Sequence, residues 1–495
     1  MRKYRLLIGG EFVEGAELAP ATSPSSGEDF ASIPMASAAQ AGAAVEAARR
    51  AFPAWAGLSP FDRAEVLTAA AAAVTLRRDE LARALTEDQG KPLVAEAYDE
   101  VDELAVYLSM AGEDAKRLSG QVPPSTSAGR RVIVSRVPLG VIGVVTPWNW
   151  PYTMGAEIFA PALAAGNTVV WAPPATTAAC TALLAEVLHD AFSAYGDSEN
   201  GGLSGVFNFV TGEGPVVGDA VVGHQAVAGV GFVGSVLTGA LVAARASGRA
   251  QVLELGGNGP LIVLEDADLE LAATAALEAA YLCAGQSCTA GERFLVHRDV
   301  RAEFVERVVE ATRQHVRLGD PFDDHTTMGP LNNEPVAAKF EAHVTQAADS
   351  GARICTGGYR ASGFPTRLFC EPTVLDGVTP DMLIAREETF GPVVPVIEIS
   401  SAAEALERAN TGGYGLTTAV FTADLARALA FAEAASFGWV NINASTNLWE
   451  SHLPFGGRAG SLSGIGRVGG ASVMEAFTEP KTIVYPAPVL TPPPL

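Results

Sequence analysis

Apolar positions come in short clusters at the start of the chain, around Tyr4–Ile8 and Glu11–Val13, and predict strands. Ala-rich stretches at helical spacing follow. Ser59-Pro60-Phe61-Asp62 has the form of a helix start: a hydroxyl cap, a proline in the first turn and an acid three residues after the cap. The run Arg63–Leu85 keeps apolar residues on one helical face, and Gly90-Lys91-Pro92 ends the pattern. From Val132 the texture changes. β-Branched runs at Val141–Thr146, Thr168–Trp171, Val206–Val210 and Val227–Val233 alternate with helical stretches such as Thr176–Ala194, which predicts a parallel sheet with crossover helices. A second such series follows Gly256, with strands at Leu261–Leu264, Arg293–His297, Val393–Ile399, Thr417–Phe421 and Gly438–Ile442 and helices near Ala302–Arg313 and Leu425–Ala435. Ser125–Arg131 reads as the tip of a β-protrusion, Lys481–Tyr485 as a late strand, and the Pro-rich tail Pro486–Leu495 as extended.

Composition narrows the picture. A chain of 495 residues is too long for one core and predicts two or three folding units. Its formal charge of −23 disfavours nucleic acid and anionic membranes as partners. The five cysteines are scattered, none in a CxxC pair, and the histidines form no cluster, so neither a disulfide framework nor a metal site is expected. The N-terminus lacks the long apolar run of a signal peptide, and no apolar stretch reaches membrane-spanning length. A reducing cytoplasm is the expected compartment.

Four segments carry candidate chemistry, each with a bland reading beside the functional one. Cys288, in Gly285-Gln286-Ser287-Cys288-Thr289, stands between a helical stretch and a strand, where a sulfur can face a cleft; taken alone, a lone cysteine is more often packing, as Cys283 illustrates. Glu254 ends an apolar run before Gly256-Gly257, where partial burial would raise its pKa toward that of a general base; otherwise it is a solvated strand end. Thr146-Pro147-Trp148-Asn149-Trp150-Pro151 holds the Asn149 amide on a stiff turn, a preorganised donor for an oxyanion or simply a rigid aromatic turn. Gly229–Ser235 is a strand, glycine turn and helix start that can seat a pyrophosphate, although it lacks the GxGxxG pattern.

Taken together and in this order, the segments resemble the aldehyde dehydrogenase superfamily from about Leu7 to Tyr485. The resemblance is carried by Pro147-Trp148-Asn149, Ala165-Gly166-Asn167-Thr168, Phe232-Val233-Gly234-Ser235, Glu254-Leu255-Gly256-Gly257, Gly285-Gln286-Ser287-Cys288, Glu387-Glu388-Thr389-Phe390-Gly391-Pro392 and Pro454-Phe455-Gly456-Gly457. It implies an α/β fold made of a dinucleotide-binding parallel-sheet domain (residues 1–119 and 139–255), a catalytic α/β domain (256–470) and a small β oligomerisation protrusion (120–138 and 471–490). It implies a homodimer or homotetramer that oxidises an aldehyde to the acid. Cys288 would be the nucleophile, Asn149 and the Cys288 N–H the oxyanion donors, and Glu254 the base that activates water. A cofactor site would be formed by Thr146, Pro147, Trp148, Ala172, Ala175, Gly218, Phe232, Gly234, Ser235, Leu255, Gly256, Glu388 and Phe390, with Ser235 at the pyrophosphate, Glu388 on the nicotinamide ribose and Phe390 beside the ring. Substrate would be lined by Trp150, Tyr152, Met154, Ser287, Thr289, Leu448, Trp449 and Phe455, a set that predicts an uncharged, apolar aldehyde, with aromatic aldehydes among the candidates.

Several positions depart from the family's pattern. Ala172 and Ile158 stand where lysines are common, and Val468 where an acid is common. The loop near Gly460–Ser463 is about two residues longer than usual. Without that lysine and acid, Glu254 is expected to exchange protons through water or backbone carbonyls. NAD is the expected cofactor, with NADP as the alternative, because Ala172 offers no cation to a 2′-phosphate even though Ala175 offers no acid to repel one. A CoA-acylating dehydrogenase and an inactive structural relative are the competing readings; Glu254 speaks against the first and the set Cys288, Glu254 and Asn149 against the second.

Overall fold

The computed structural model describes residues 1–196 and 203–487. Two large sheets organise the chain. In the first, five parallel strands run in the order Ala250–Leu255, Val227–Gly234, Val141–Val145, Thr168–Ala172 and Phe207–Phe209. Leu6–Ile8 and Glu11–Val13 extend it antiparallel on one edge, and Gly464–Ile465 pairs antiparallel with Ala250–Leu255 on the other. The strand Thr168–Ala172 is buried throughout, as a central parallel strand covered by helices on both faces must be. In the second sheet, Thr373–Asp376, Val393–Ile399, Gly291–His297, Gly259–Val263, Thr417–Phe421 and Trp439–Ile442 lie parallel in that order, with Arg353–Thr356 antiparallel at the edge. The two alternating series read from the pattern are thus two sheets.

Local signals act where the sequence places them. The Ser59 hydroxyl accepts from the Asp62 N–H at 3.2 Å while the Asp62 carboxylate accepts from the Ser59 N–H at 3.1 Å, so both orphan donors are met. The helix expected over Arg63–Leu85 is in fact two. Pro60–Leu76 stops at Arg77, whose backbone leaves helical geometry at φ −104 and ψ 21, and Arg78–Gln89 continues to the left-handed cap Gly90. Apolar spacing carries across this break because both helices bury the same kind of face, so periodicity alone does not reveal it.

The protrusion is a ribbon in which Arg130–Pro138 pairs with Thr478–Pro486 along its whole length. The late strand is therefore longer than Lys481–Tyr485. Most of the tail Pro486–Leu495 lies outside the described residues. Among the described residues, no helix is long and apolar enough to cross a membrane.

Candidate active site

The sheets meet so that the carboxyl ends of the first face the amino ends of the second, the usual place for a ligand in an open parallel sheet. Between them is a cavity of about 280 Å³, lined among others by Asn149, Met154, Glu254, Cys288, Glu388 and Phe390. Strand Ala250–Leu255 brings Glu254, the turn after Val141–Val145 brings Asn149, and the segment before Gly291–His297 brings Cys288.

Cys288 reaches the cavity through an unusual backbone. The helix Leu269–Tyr281 is followed by Cys283 at φ 51 and Ala284 at φ 53, both left-handed without being glycine. Such geometry persists only where the surroundings fix it. Here the Cys283 N–H donates to Glu96 Oε1 at 2.9 Å, and Gln286 Nε2 donates to the Cys283 carbonyl at 2.7 Å. The Asn332 N–H donates to Gln286 Oε1 at 2.9 Å. Cys283 ends up buried, whereas Cys288 keeps partial exposure. Gly257 allows the close pass: a Cβ there would lie 2.1 Å from the Cys288 carbonyl oxygen.

Glu254 is buried, and neither carboxyl oxygen has a hydrogen-bond partner. Desolvation pushes it up to about 8; the facing Cys288 thiol opposes this in part and Glu388 adds to it. Desolvation, then the charge of Glu254, raises the Cys288 thiol well above its usual range. A thiol and a carboxyl that both resist ionisation therefore face each other. Asn149 Nδ2 donates one hydrogen to the Gln286 carbonyl at 2.9 Å, which orients the amide and leaves its second N–H to the cavity.

The other half of the cavity is built differently. Glu388 Oε1 accepts the Gly257 N–H at 2.9 Å, and burial lifts this carboxyl to about 7. Gly256 makes room for it, since a Cβ there would lie 2.8 Å from Glu388 Oε1. Phe390, at φ 61, is held by Glu292, which accepts the Thr389 and Phe390 N–H groups at 2.8 Å each, and its ring meets Trp148 edge-on at 5.8 Å. Ser235 caps the helix Val236–Arg245 and accepts the Thr238 N–H at 3.3 Å. Pro147, Trp148, Gly234, Ser235, Gly256, Glu388 and Phe390 all line the cavity. A helix start, a glycine wall and a tethered carboxyl fit the nicotinamide half of a dinucleotide.

Other expected residues lie elsewhere. Thr146, Ala172 and Gly218 line a separate cleft of about 60 Å³ at the carboxyl ends of the same sheet. Ala175 starts a short 3-10 turn and lines neither space. Phe232 and Leu255 turn away from the cavity and pack with Leu253 in a small apolar cluster. Of the substrate set, only Met154 lines the cavity. Tyr152 is a correction: it is fully buried, and its hydroxyl donates to the Leu81 carbonyl at 3.0 Å. It directly precedes the helix Thr153–Ala164, which fixes its side chain against the neighbouring helix and not the sulfur. Trp150 covers the Lys91 ammonium at 3.6 Å from its ring centre. Ser287 and Thr289 share a hydrogen bond of 2.7 Å, and Thr289 donates to Asn447 at 2.5 Å. Phe455 meets Trp449 edge-on at 5.2 Å, and Leu448 is exposed.

The departures have structural explanations. Ile158 packs where a Cβ on Gly231 would lie 2.4 Å away, and the buried Val468 exchanges both backbone hydrogen bonds with Phe455 at 2.8 Å. The longer loop clamps the strand end beside Glu254: Ser463 Oγ donates to the Gly256 carbonyl at 2.9 Å and the Leu255 N–H donates to the Ser463 carbonyl at 3.2 Å. Sequence reading missed Lys339, Pro335 and Val336, which the helix Glu334–Asp349 brings to the cavity. No motif marks them.

The chain matches the aldehyde dehydrogenase family over residues 12–483. It is 36% identical to 3-sulfolactaldehyde dehydrogenase of Pseudomonas putida, over 97% of this chain and 96% of that one. It belongs to the aldehyde dehydrogenase family. The expected α/β fold and the expected class, an NAD(P)+-dependent oxidoreductase, both hold. Another relative is the NADP+-dependent succinate-semialdehyde dehydrogenase of Escherichia coli, 35% identical over 97% of each chain. Among solved structures, a betaine aldehyde dehydrogenase of Staphylococcus aureus in complex with NAD+ superposes with a TM-score of 0.92 at 33% identity, covering 97% of this chain and 94% of that one.

Proposed function

We propose that this aldehyde dehydrogenase oxidises its substrate to the carboxylic acid through a thioester on Cys288. The single observation that carries the reading is the pairing of Cys288 with an unpartnered, buried Glu254 in one cavity. Cys288 gives its proton to the ionised form of Glu254 as the sulfur attacks the aldehyde carbon, and the new oxyanion takes hydrogen bonds from Asn149 Nδ2 and the Cys288 N–H. A bound nicotinamide dinucleotide supplies the hydride acceptor, and Glu388, Phe390 and Ser235 are the residues that would hold it. Once the thioester has formed and the first proton has left Glu254 for solvent, the carboxylate removes a proton from water, whose oxygen attacks the acyl carbon; the carbon–sulfur bond breaks and the sulfur leaves as thiolate with the acid released. An available base at Glu254 supports hydrolysis over transfer to CoA. The test follows reduced-nicotinamide absorbance with an aldehyde panel, with and without CoA; turnover that depends on CoA would overturn hydrolysis.

We further infer NAD+ as the preferred cofactor, on Ala172. The dinucleotide-binding domain then comprises residues 1–119 and 139–255, the catalytic domain 256–470 and the oligomerisation segments 120–138 and 471–490. A homodimer or homotetramer through the ribbon is supported by Ile133, Ile483, Val484 and Tyr485, which are exposed along it. Five free cysteines support a reducing compartment such as the cytoplasm. The relatives named above act on anionic and cationic aldehydes alike, so family membership leaves substrate charge open. Of the apolar expectation, Met154 and the Trp449–Phe455 pair support rings and chain burial, but carboxyl groups among them do not support an uncharged substrate.

A further inference from the structure

On the helix Thr153–Ala164, Met154 lines the cavity, and Glu157 follows three residues later, so the two share a face. Glu157 is buried; desolvation and then the charge of Glu254 raise it, and its own charge adds to what raises Cys288, so the carboxyl lies within electrostatic reach of the reacting pair. One of its oxygens accepts the Tyr107 hydroxyl at 3.4 Å; the other has no hydrogen-bond partner among the described residues. Tyr107 also reaches Glu103, one helical turn earlier on Tyr98–Ala115. Glu103 Oε1 accepts the Trp449 indole N–H at 3.1 Å, and Trp449 packs edge-on against Phe455, which also lies 5.9 Å from Trp439. From the sulfur outward the order is therefore Glu157, Tyr107, Glu103, Trp449, ending next to the exposed Leu448.

This wall is acidic and aromatic, and it lacks its own cation. Neither Glu103 nor Glu157 forms an ion pair among the described residues. Lys91 lies in electrostatic reach of Glu103, yet its ammonium is bonded to Glu100 at 2.6 Å and roofed by Trp150. Buried carboxyls without a counter-charge are costly, and burial accordingly lifts Glu103 to about 7. A ligand cation would lower that cost and would meet indole and phenyl faces as well. A ligand carboxylate would find no free cation there among the described residues to offset its own burial. The formal charge of −23 adds long-range attraction in the same sense.

We infer that the substrate is an aldehyde carrying a positively charged nitrogen, received by Glu157 and Glu103 against the Trp449–Phe455 wall. The inference rests on the aldehyde oxidation proposed above. The test compares kcat/KM for two isosteric pairs at pH 7.5: 3-aminopropanal against butanal, and trimethylammonioacetaldehyde against 3,3-dimethylbutanal, with succinic semialdehyde as the anion. At least one cation is expected to exceed its neutral isostere by about ten-fold or more, and succinic semialdehyde to be the poorest. Preference confined to the first pair identifies a primary ammonium, and confined to the second a quaternary one. In Glu157→Gln and in Glu103→Gln the cation-to-isostere ratio should fall about ten-fold. The wild-type ratios stand by themselves if either variant fails to fold. Ratios of one or less for both pairs, or ratios unmoved in both variants, would overturn the inference while butanal turnover leaves the oxidation intact. No reduction of either nicotinamide cofactor with any of the five aldehydes would overturn both.

Discussion

Two buried charged clusters share the segment Asn149–Thr153, and they are built on opposite plans. In one, Lys91 and Glu100 pair at 2.6 Å with both side chains fully buried, and Glu100 also accepts the Tyr152 N–H at 2.9 Å. Desolvation opposes charge on Lys91, but Glu100 and the neighbouring acids hold the ammonium above its ordinary range. Every charge there has a partner. In the other, Glu254 has no hydrogen bond, Glu157 has a single one, and the charges of both raise the Cys288 thiol. A balanced cluster stabilises the turn that carries Asn149; an unbalanced one is held ready for a proton, an acyl group or a cation that arrives from outside. The same contrast separates Glu388, tethered by Gly257, from Glu254, left free.

If this contrast is right, substitutions in the unbalanced cluster cost activity and those in the balanced cluster cost stability. The largest effect is expected for Cys288→Ala, whose dehydrogenase turnover should drop at least about 10⁴-fold while Cys283→Ala retains it. Substantial steady-state activity in the Cys288 variant would remove it from the mechanism. Glu254→Gln should lose about 10²- to 10³-fold in steady turnover, with some pre-steady-state burst of reduced cofactor preserved, since acylation and deacylation are separate steps. Stopped-flow traces with an acyl-enzyme that hydrolyses at the wild-type rate would contradict that role. Lys91→Met leaves Glu100 buried and unpaired and should lose about 3–5 kcal/mol in urea unfolding. A midpoint that hardly moves would mean that the balanced cluster is not structural.

pH sharpens the comparison further. Glu254 is raised from an ordinary 4.5 to about 8 in the folded chain, so between those values the folded state binds more protons than the unfolded one. Stability contributed by keeping this carboxyl protonated is whole below 4.5 and is lost as pH climbs toward 8. Glu254→Gln should therefore be close to wild type in stability near pH 4.5 and more stable at pH 7 by up to about 3 kcal/mol. Equal differences at both values would show that Glu254 is not held protonated by burial. The smallest effect concerns the cofactor: kcat/KM should favour NAD+ over NADP+ by about ten-fold or less, and the reverse order would mean that a cation other than the missing lysine at Ala172 meets the 2′-phosphate.

Much of this was legible in one dimension. Strands such as Val393–Ile399 and Thr417–Phe421 have the predicted bounds because a buried parallel strand is a contiguous apolar run. Cys288, Glu254, Asn149, Glu388 and Phe390 could be singled out because each sits in a short motif whose glycines and prolines fix the local backbone. What lay between motifs was not legible. The break at Arg77 is invisible to periodicity, and Lys339 and Glu157 sit in helices whose spacing says only that one face is buried.

The amino-acid order by itself therefore determined the two alternating series, the family and the reacting residues, since these depend on neighbours along the chain. Tertiary structure alone decided which side chains meet. It turned Tyr152 into the core, tied the Ser287 hydroxyl to Thr289 and the Thr289 hydroxyl to Asn447, and set Glu157 within electrostatic reach of Glu254 from another strand-and-helix unit. The physical reason is that direction, burial and charge balance are properties of the space a side chain enters, and that space is enclosed by residues far away in sequence.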